Sequence, residues 1–274
     1  MSKPPGDAQK MQVETAFKDA NKLDLRNEIQ QHYGSQPQPW FSWVFDLLKI
    51  PTSATILELG CGSGALWDEN MERIPRGWDV VLSDQSTNMV YSAIENLQGA
   101  RQKFHFLSID GQALPFPNAS YDAVIAVGLL DLLPDLPQTL NEIERVLKPA
   151  GIFAATAGGK GHLEELEALV KPFVPNEKAK DIGGDERRFG LENGEEWLSC
   201  CFDNIVRYDY DDQMVFPDVE PVLHYVLSEH AVVSSMTLEQ LGDFVQQIKK
   251  YLTRYGVITV SVRKGLFVAR KRKN

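Results

Sequence analysis

The sequence predicts an α/β fold: a mostly parallel sheet with helices on both faces. Three observations carry this. Short, continuously apolar runs alternate with helical-period stripes between Ala54 and Thr156, as expected of strands covered on both sides. The first run ends in a glycine-rich turn, Gly60-Cys61-Gly62-Ser63-Gly64, that opens a helical segment. A chain of 274 residues with 43% hydrophobic and 24% charged residues has an ordinary globular composition, which excludes collagen, coiled coil and wholesale disorder.

The elements follow in order. Residues 1–20 are polar, carry Pro4 and Pro5, and are expected to dock loosely. Residues 22–49 read as two helices around a polar joint at Gln36 to Pro39, with Trp40, Val44 and Leu48 on one stripe and Phe41 and Phe45 beside it. Ala54 to Leu59 is a buried strand and Ala65 to Ile74 a helix. Trp78 to Leu82 and Ser86 to Leu97 repeat the pair, and Lys103 to Leu107 is a weaker third strand. Tyr121 to Val127 is a clear fourth strand. Leu136, Leu140, Ile143, Val146 and Leu147 form a helical stripe closed by Pro149 and Gly151, and Ile152 to Thr156 is a fifth strand. After Gly158 the alternation breaks: residues 158–200 are rich in Gly, Glu and Lys. Phe202 to Tyr210 reads as a strand, Leu241, Phe244, Val245, Ile248, Tyr251 and Leu252 mark an amphipathic helix, and Val257 to Arg270 reads as strand, turn at Lys264-Gly265, strand. The basic tail from Arg270 to Lys273 reads as a solvated end.

Lys and Arg number 28 against 38 Asp and Glu, a net charge of −10. Such a chain repels a phosphate backbone, so no nucleic-acid partner is expected. Three cysteines, Cys61, Cys200 and Cys201, form neither a disulfide framework nor a zinc spacing, so no metal is expected and a reducing cytoplasm is the expected setting. The start MSKPPGDAQK has no apolar stretch of a signal peptide behind it, and no apolar run reaches membrane-spanning length. No membrane partner is expected, and the pattern fits a monomer or a homodimer.

The glycine turn is the strongest chemical signal. Its glycines permit a tight turn and close approach of a ligand to backbone, beside the N–H groups of a helix start. Gly60 to Ala65 satisfies the dinucleotide pattern G-x-G-x-x-G/A, and Asp84 at the end of the second strand suits a ribose carboxylate. The turn alone therefore leaves a nicotinamide-dependent oxidoreductase open. Three features separate the readings. Glu58, two residues before the first glycine, suits a cationic or hydroxylated ligand. Asp110 opens Asp110-Gly111-Gln112, where a carboxylate can accept from an exocyclic amine while backbone amides read a ring nitrogen. The strand Tyr121 to Val127 ends at the same crevice.

These motifs resemble, in order, those of class I S-adenosylmethionine-dependent methyltransferases. ELGCGSG resembles the family's first motif, LSDQSTNM its second, IDGQALPFPNASYDAVIA the adenine-binding stretch and the strand after it, and RVLKPAG the turn before the fifth strand. The ordered set covers about residues 54–157. The resemblance implies a Rossmann-like seven-stranded sheet whose seventh strand is antiparallel and inserted near an edge. It implies a helical lid over 1–49, a cofactor-binding core over 50–157, a substrate cap over 158–235, and a helix plus strand pair over 236–274 completing the core. A weaker similarity to bacterial small-molecule methyltransferases rests on Phe189 to Gly194 and Phe202 to Tyr210. S-adenosylmethionine, leaving as S-adenosylhomocysteine, is the implied cofactor. Its implied contacts are Glu58, Gly60, Cys61, Gly62, Asp84, Gln85, Asp110, Gly111, Gln112 and Val127.

The chain departs from the family after the fourth strand. Where relatives carry histidines, Val127-Gly128-Leu129-Leu130-Asp131-Leu132-Leu133 offers only Asp131. A general base is therefore sought elsewhere: Tyr33 in the lid is the first choice for a catalytic residue, and His32, His162, His224 and His230 are further candidates, while His105 falls inside a strand. Trp40 and Trp43, Leu129 and Tyr225 are the candidate acceptor-binding residues, with Tyr208 and Tyr210 also in the cap. The expected activity is methyl transfer to a small-molecule acceptor; a protein acceptor, an oxidoreductase and a non-catalytic binding protein on the same fold are the alternatives.

Overall fold

A computed structural model describes residues 22–272, apart from 102, 181, 185–187, 230, 231 and 233. The expectations for residues 1–20, for His230 and for Lys273 lie outside the described residues.

Seven strands form one sheet: β1 Ser53–Leu59, β2 Gly77–Asp84, β3 Phe104–Ser108, β4 Tyr121–Ala126, β5 Leu147–Gly158, β6 Phe202–Phe216 and β7 Ile258–Lys271. Their order is β3-β2-β1-β4-β5-β7-β6. β1 to β5 run parallel, and β7 lies antiparallel between β5 and β6. The order reverses between β1 and β4, which opens a crevice at the carboxyl ends of the parallel strands.

Strand alternation divides the core into layers. Leu57, Leu59, Val124, Ala126, Phe153 and Ala155 face helix α5 (Leu136–Val146) and α8 (Gly194–Ser199). Ile56, Ala123, Ile125, Ile152 and Ala154 face the other side, against α2 (Trp40–Leu47), α3 (Ala65–Glu69) and α4 (Thr87–Asn96). A third cluster joins Ile29 of helix α1 (22–33) to α6 (Glu164–Val170), α7 (Asn176–Lys180), α9 (Val219–Ser228), α10 (Leu238–Tyr255) and the ends of β6 and β7. Capping agrees with the sequence: Ser86 accepts from Met89 N–H, Asp135 from Gln138 N–H, and Thr237 with Gln240 makes a capping box.

Several expected elements are corrected. The strand, turn and strand expected over Val257 to Arg270 are instead one continuous strand from Ile258 to Lys271, in which Gly265 pairs with Ala157 on one side and Asp209 on the other. The glycine serves close packing rather than a turn: a Cβ there would lie 2.5 Å from Tyr208 O and 2.7 Å from Leu191 Cδ2. The strand expected at Phe202 to Tyr210 runs on to Phe216 and is the edge of the sheet, so part of 158–235 belongs to the core. The helix expected over Ala65 to Ile74 stops at Glu69 and gives way to a 3₁₀ turn, Met71–Arg73. Between them, buried Asn70 donates to Leu66 O and Phe41 O, a local competition of the kind that ends helices.

Candidate active-site cleft

A cavity of about 1010 Å³ occupies the crevice, floored by the glycine turn and the ends of β1, β2 and β4. Gly60, Gly62 and Gly64 have φ of 67°, 53° and 83°, which side-chain-bearing residues rarely adopt. Gly60 has a second constraint: a Cβ would lie 2.8 Å from Leu129 Cδ1. The turn is braced by its own hydrogen bonds. Cys61 N–H donates to Ser83 O (2.9 Å), and Gly62 N–H donates to Asp84 Oδ2 (3.0 Å).

Three carboxylates lie near the carboxyl ends of three neighbouring strands: Glu58 one residue before the end of β1, Asp84 at the end of β2 and Asp110 two residues beyond β3. Asp84 also accepts from Ser86 N–H (2.8 Å), and burial raises its pKa against the pull of these two amides. Glu58 is buried on the face that carries α3, where its carboxyl accepts from Trp67 Nε1. Loss of hydration pushes its pKa up to about 8, with the Asp84 charge adding to the rise and the Trp67 bond opposing it. Cys61 is also buried, and its thiol is pushed up by the same desolvation and by Glu58 and Asp84, so it is an inert wall rather than a nucleophile. Asp110 accepts from Gln112 N–H at 2.9 Å, which folds the Asp110-Gly111-Gln112 turn against the cleft.

Helix α1 roofs this floor. Leu23, Arg26, Asn27 and Gln30 line the cleft with the spacing of one helical face, and Ser63 Oγ donates to Asp24 Oδ1. The far wall contains Thr156, His162, Tyr225 and Lys264. Lys264 Nζ donates to Gln30 Oε1 (2.9 Å) and lies 4.0 Å from the Trp40 ring centroid; Gln30 Nε2 donates to Tyr225 Oη (2.9 Å). Desolvation lowers the Lys264 pKa to about 7, with Asp212 opposing. His162 Nδ1 accepts from Arg263 N–H (3.1 Å), and burial beside Lys264 pushes its pKa down to about 3. A neutral imidazole so held carries its proton on Nε2.

All ten residues expected to touch cofactor line this one cleft, as do Trp40, Leu129, Tyr225, Asp131 and His162. Others do not. Tyr33 is not among the lining residues: with Leu25 and Ile29 it packs into the third cluster, 5.2 Å from Phe216 between ring centroids. The i, i+4 spacing of these three residues turns Tyr33 away from the cleft, which removes it as the catalytic residue. Trp43 lies behind the wall, stacked on Trp40 at 5.4 Å and edge-on to Tyr210. Tyr210 lines a second cavity of about 480 Å³ beyond Lys264, and Tyr208 lines neither. His32 and His224 are exposed and line neither cavity, and His105 faces Asp79 from β3. The sequence reading missed Arg26, Gln30 and Lys264. Strand alternation holds a signal for Lys264: it is the only charged member of the series Ile258, Val260, Val262, Lys264, Leu266, Val268. Among the described residues no cluster of three or more His, Cys, Asp or Glu is grouped as a metal would require, and no helix is long and apolar enough to cross a membrane.

The donor set separates the two nucleoside cofactors. A pyrophosphate needs free N–H groups in the glycine turn, yet those of Cys61 and Gly62 are already bonded, the latter to a carboxylate. A ligand with a ribose, an amino group and a cationic sulfur instead suits Asp84, Asp110 and Glu58. Fold and site together define a Rossmann-like domain whose cleft suits an adenosine-bearing, cationic cofactor. Residues 57–155 match the family described as "Methyltransferase domain". The ubiquinone/menaquinone biosynthesis C-methyltransferase UbiE of Hahella chejuensis is 30% identical over 135 residues, 48% of this chain and 53% of that protein; the match thus spans about half the length of that relative. Among solved structures, phosphoethanolamine N-methyltransferase 2 of Haemonchus contortus, in complex with S-adenosyl-L-methionine, superposes with a TM-score of 0.57 at 18% identity over 93% of this chain and 57% of that one. The [4+2]-cyclase SpnF superposes at 0.60 and 18% identity over 96% and 97%. At such identity these two likenesses establish the fold alone, and the cyclase illustrates that one fold hosts different chemistry.

Proposed function

We propose that this chain is a methyltransferase that moves a methyl group from S-adenosylmethionine to a small-molecule acceptor. The observation that supports it most is the convergence of Glu58, Asp84 and Asp110 on a cleft large enough to hold a second ligand. In this reading Asp84 holds the ribose, Asp110 and the turn after it hold the adenine, and Glu58 faces the cationic methionine end. When bound, the cofactor supplies a methyl group already activated by a positive sulfur. The chain has then to hold the acceptor in line with that methyl group and keep water out, and such positioning lowers barriers by roughly 7–11 kcal/mol at its best. Helices α1 and α2 act as a lid, and residues 158–200 with α9 act as the cap over the acceptor. The net charge of −10 favours a small acceptor over a nucleic acid. The name of the relative from Hahella chejuensis directs the search first to ring compounds methylated on carbon.

The test is calorimetric titration with S-adenosylhomocysteine and, separately, with NAD, on wild type and Asp84→Ala. Micromolar binding of the first ligand, weakened about tenfold or more in the variant, with no NAD binding, is the expected result. NAD binding in its place overturns the reading.

A further inference from the structure

We infer that the wall opposite the cofactor carboxylates is an oxyanion site, and that the acceptor is a weakly acidic hydroxyl compound, a phenol or an enol, which gives its proton to Lys264. This rests on the methyltransferase reading and names its acceptor class.

The wall is built from donors. Gln30 is oriented by its neighbours: its carbonyl takes Lys264 Nζ and its amide group donates to Tyr225 Oη. The amide thereby fills a lone pair on the tyrosine oxygen and leaves the hydroxyl hydrogen to point elsewhere. His162, its Nδ1 filled by Arg263 N–H, offers only Nε2–H. Tyr225, His162 and Lys264 all line the same cleft, so the wall presents two neutral donors and one amine. An acceptor oxygen meets all three needs at once when it becomes negative.

Lys264 is placed by the fold. The series Ile258, Val260, Val262 packs into the third cluster, and Leu266 and Val268 pack against the layer of α2 and α3. Lys264 falls at the seam between these two apolar layers, where the cleft lies. The groups facing it are Gln30 from α1, the Trp40 ring from α2, His162 from the segment after β5, and Tyr210 and Asp212 from β6. Burial outweighs the attraction of Asp212 and brings the amine near neutrality at physiological pH, where a general base is most effective. The proton balance closes. The acceptor O–H proton passes to neutral Nζ, making an ammonium. The freed electron pair, on oxygen or delocalised to the adjacent carbon, forms the bond to the methyl carbon as the C–S bond breaks onto sulfur. Lys264 later returns its proton to water; after attack through carbon on a phenol, the ring carbon loses its proton as the oxygen regains one, so either route releases one proton overall.

Because the acceptor is unidentified, the probe is a panel of nitrophenols, which are coloured as anions, added to protein saturated with S-adenosylhomocysteine. Tetramethylammonium serves as the probe of opposite charge. The phenols are expected to bind as anions, ionising about one pH unit or more below their free values. Lys264→Met weakens anion binding about tenfold or more and Tyr225→Phe less, with S-adenosylhomocysteine affinity retained in both. Lys264→Arg keeps the anion bound, and for phenols un-ionised in solution at neutral pH its methylation falls there and recovers as pH rises toward their own ionisation. Failure of every phenol to bind, binding in the neutral form, indifference to Lys264→Met and Lys264→Arg, or displacement of the phenol by tetramethylammonium each overturns the inference. Loss of S-adenosylhomocysteine binding by wild type would instead remove the methyltransferase reading itself.

Discussion

Glu58 shows how far a single residue can be read before the fold is known. One carboxylate in the run Ala-Thr-Ile-Leu-Glu-Leu is visible in the sequence, and so is its place before the glycine turn. Its protonation state is not, because that depends first on its burial, and then on Trp67 and on Asp84 across the turn. With a folded pKa of about 8 against an ordinary 4.5, the folded protein holds a proton that the unfolded chain loses. Stability is therefore complete below the unfolded value and declines as pH rises from about 4.5 to about 8. Glu58→Gln keeps an acceptor for Trp67 and removes this dependence. Urea unfolding at pH 5 and pH 9 is expected to show wild type losing stability relative to the variant; parallel behaviour of the two would show that Glu58 is ionised in the folded state. The same linkage couples to ligand binding. A cation bound against Glu58 favours its ionised form, so S-adenosylmethionine binding at neutral pH is expected to release a proton, read as a dependence of the calorimetric heat on buffer ionisation enthalpy.

At the scale of elements, the parallel strands and their helices were legible because apolar runs of strand length alternate with 3.6-period stripes. β7 was not. A Lys-Gly pair inside an apolar run imitates a turn, and only the two flanking strands show that Gly265 sits mid-strand under Tyr208 and Leu191. The alternation of buried residues on both sides of Lys264 held the correct answer, since a turn there would break the period. Gly265→Ala is expected to cost about 1–3 kcal/mol, the range for overpacking a filled site, because the nearest atom to the new Cβ is a backbone oxygen that cannot rotate away. Equilibrium denaturation measures this. A variant as stable as wild type would mean that β6 and β7 separate at that point, with the pairing of Asp209 and Gly265 lost.

For the molecule as a whole, the central segment was readable and its surroundings were not. Residues 57–155 carry local motifs whose spacing is fixed by the turns they make, whereas the short helices after Gly158 acquire their burial by packing on distant parts of the chain: α6, α7 and α9 with α10 and the ends of β6 and β7, and α8 on the layer of β1, β4 and β5. The cleft lies where these parts meet, and α1 ties them together: Asp24 to Ser63 of the glycine turn, Arg26 to Glu229 beside α9, Gln30 to Lys264 of β7 and Tyr225 of α9. Most of these ties are polar and at the cleft, so the roof is held by little apolar burial beyond Leu25, Ile29 and Tyr33 and is expected to open before the sheet does. A ligand beneath it should close it. At about one hundred times its Kd, S-adenosylhomocysteine contributes ~2.7 kcal/mol, which for a chain of this size raises Tm by about 5–11 °C. If the roof closes on the ligand, hydrogen exchange of amides 22–33 slows more than that of the sheet. A rise in Tm with unchanged exchange there would place the cofactor's grip on the glycine turn and the carboxylates alone, and would leave α1 to the acceptor, as its Gln30 contact with Lys264 and Tyr225 already suggests.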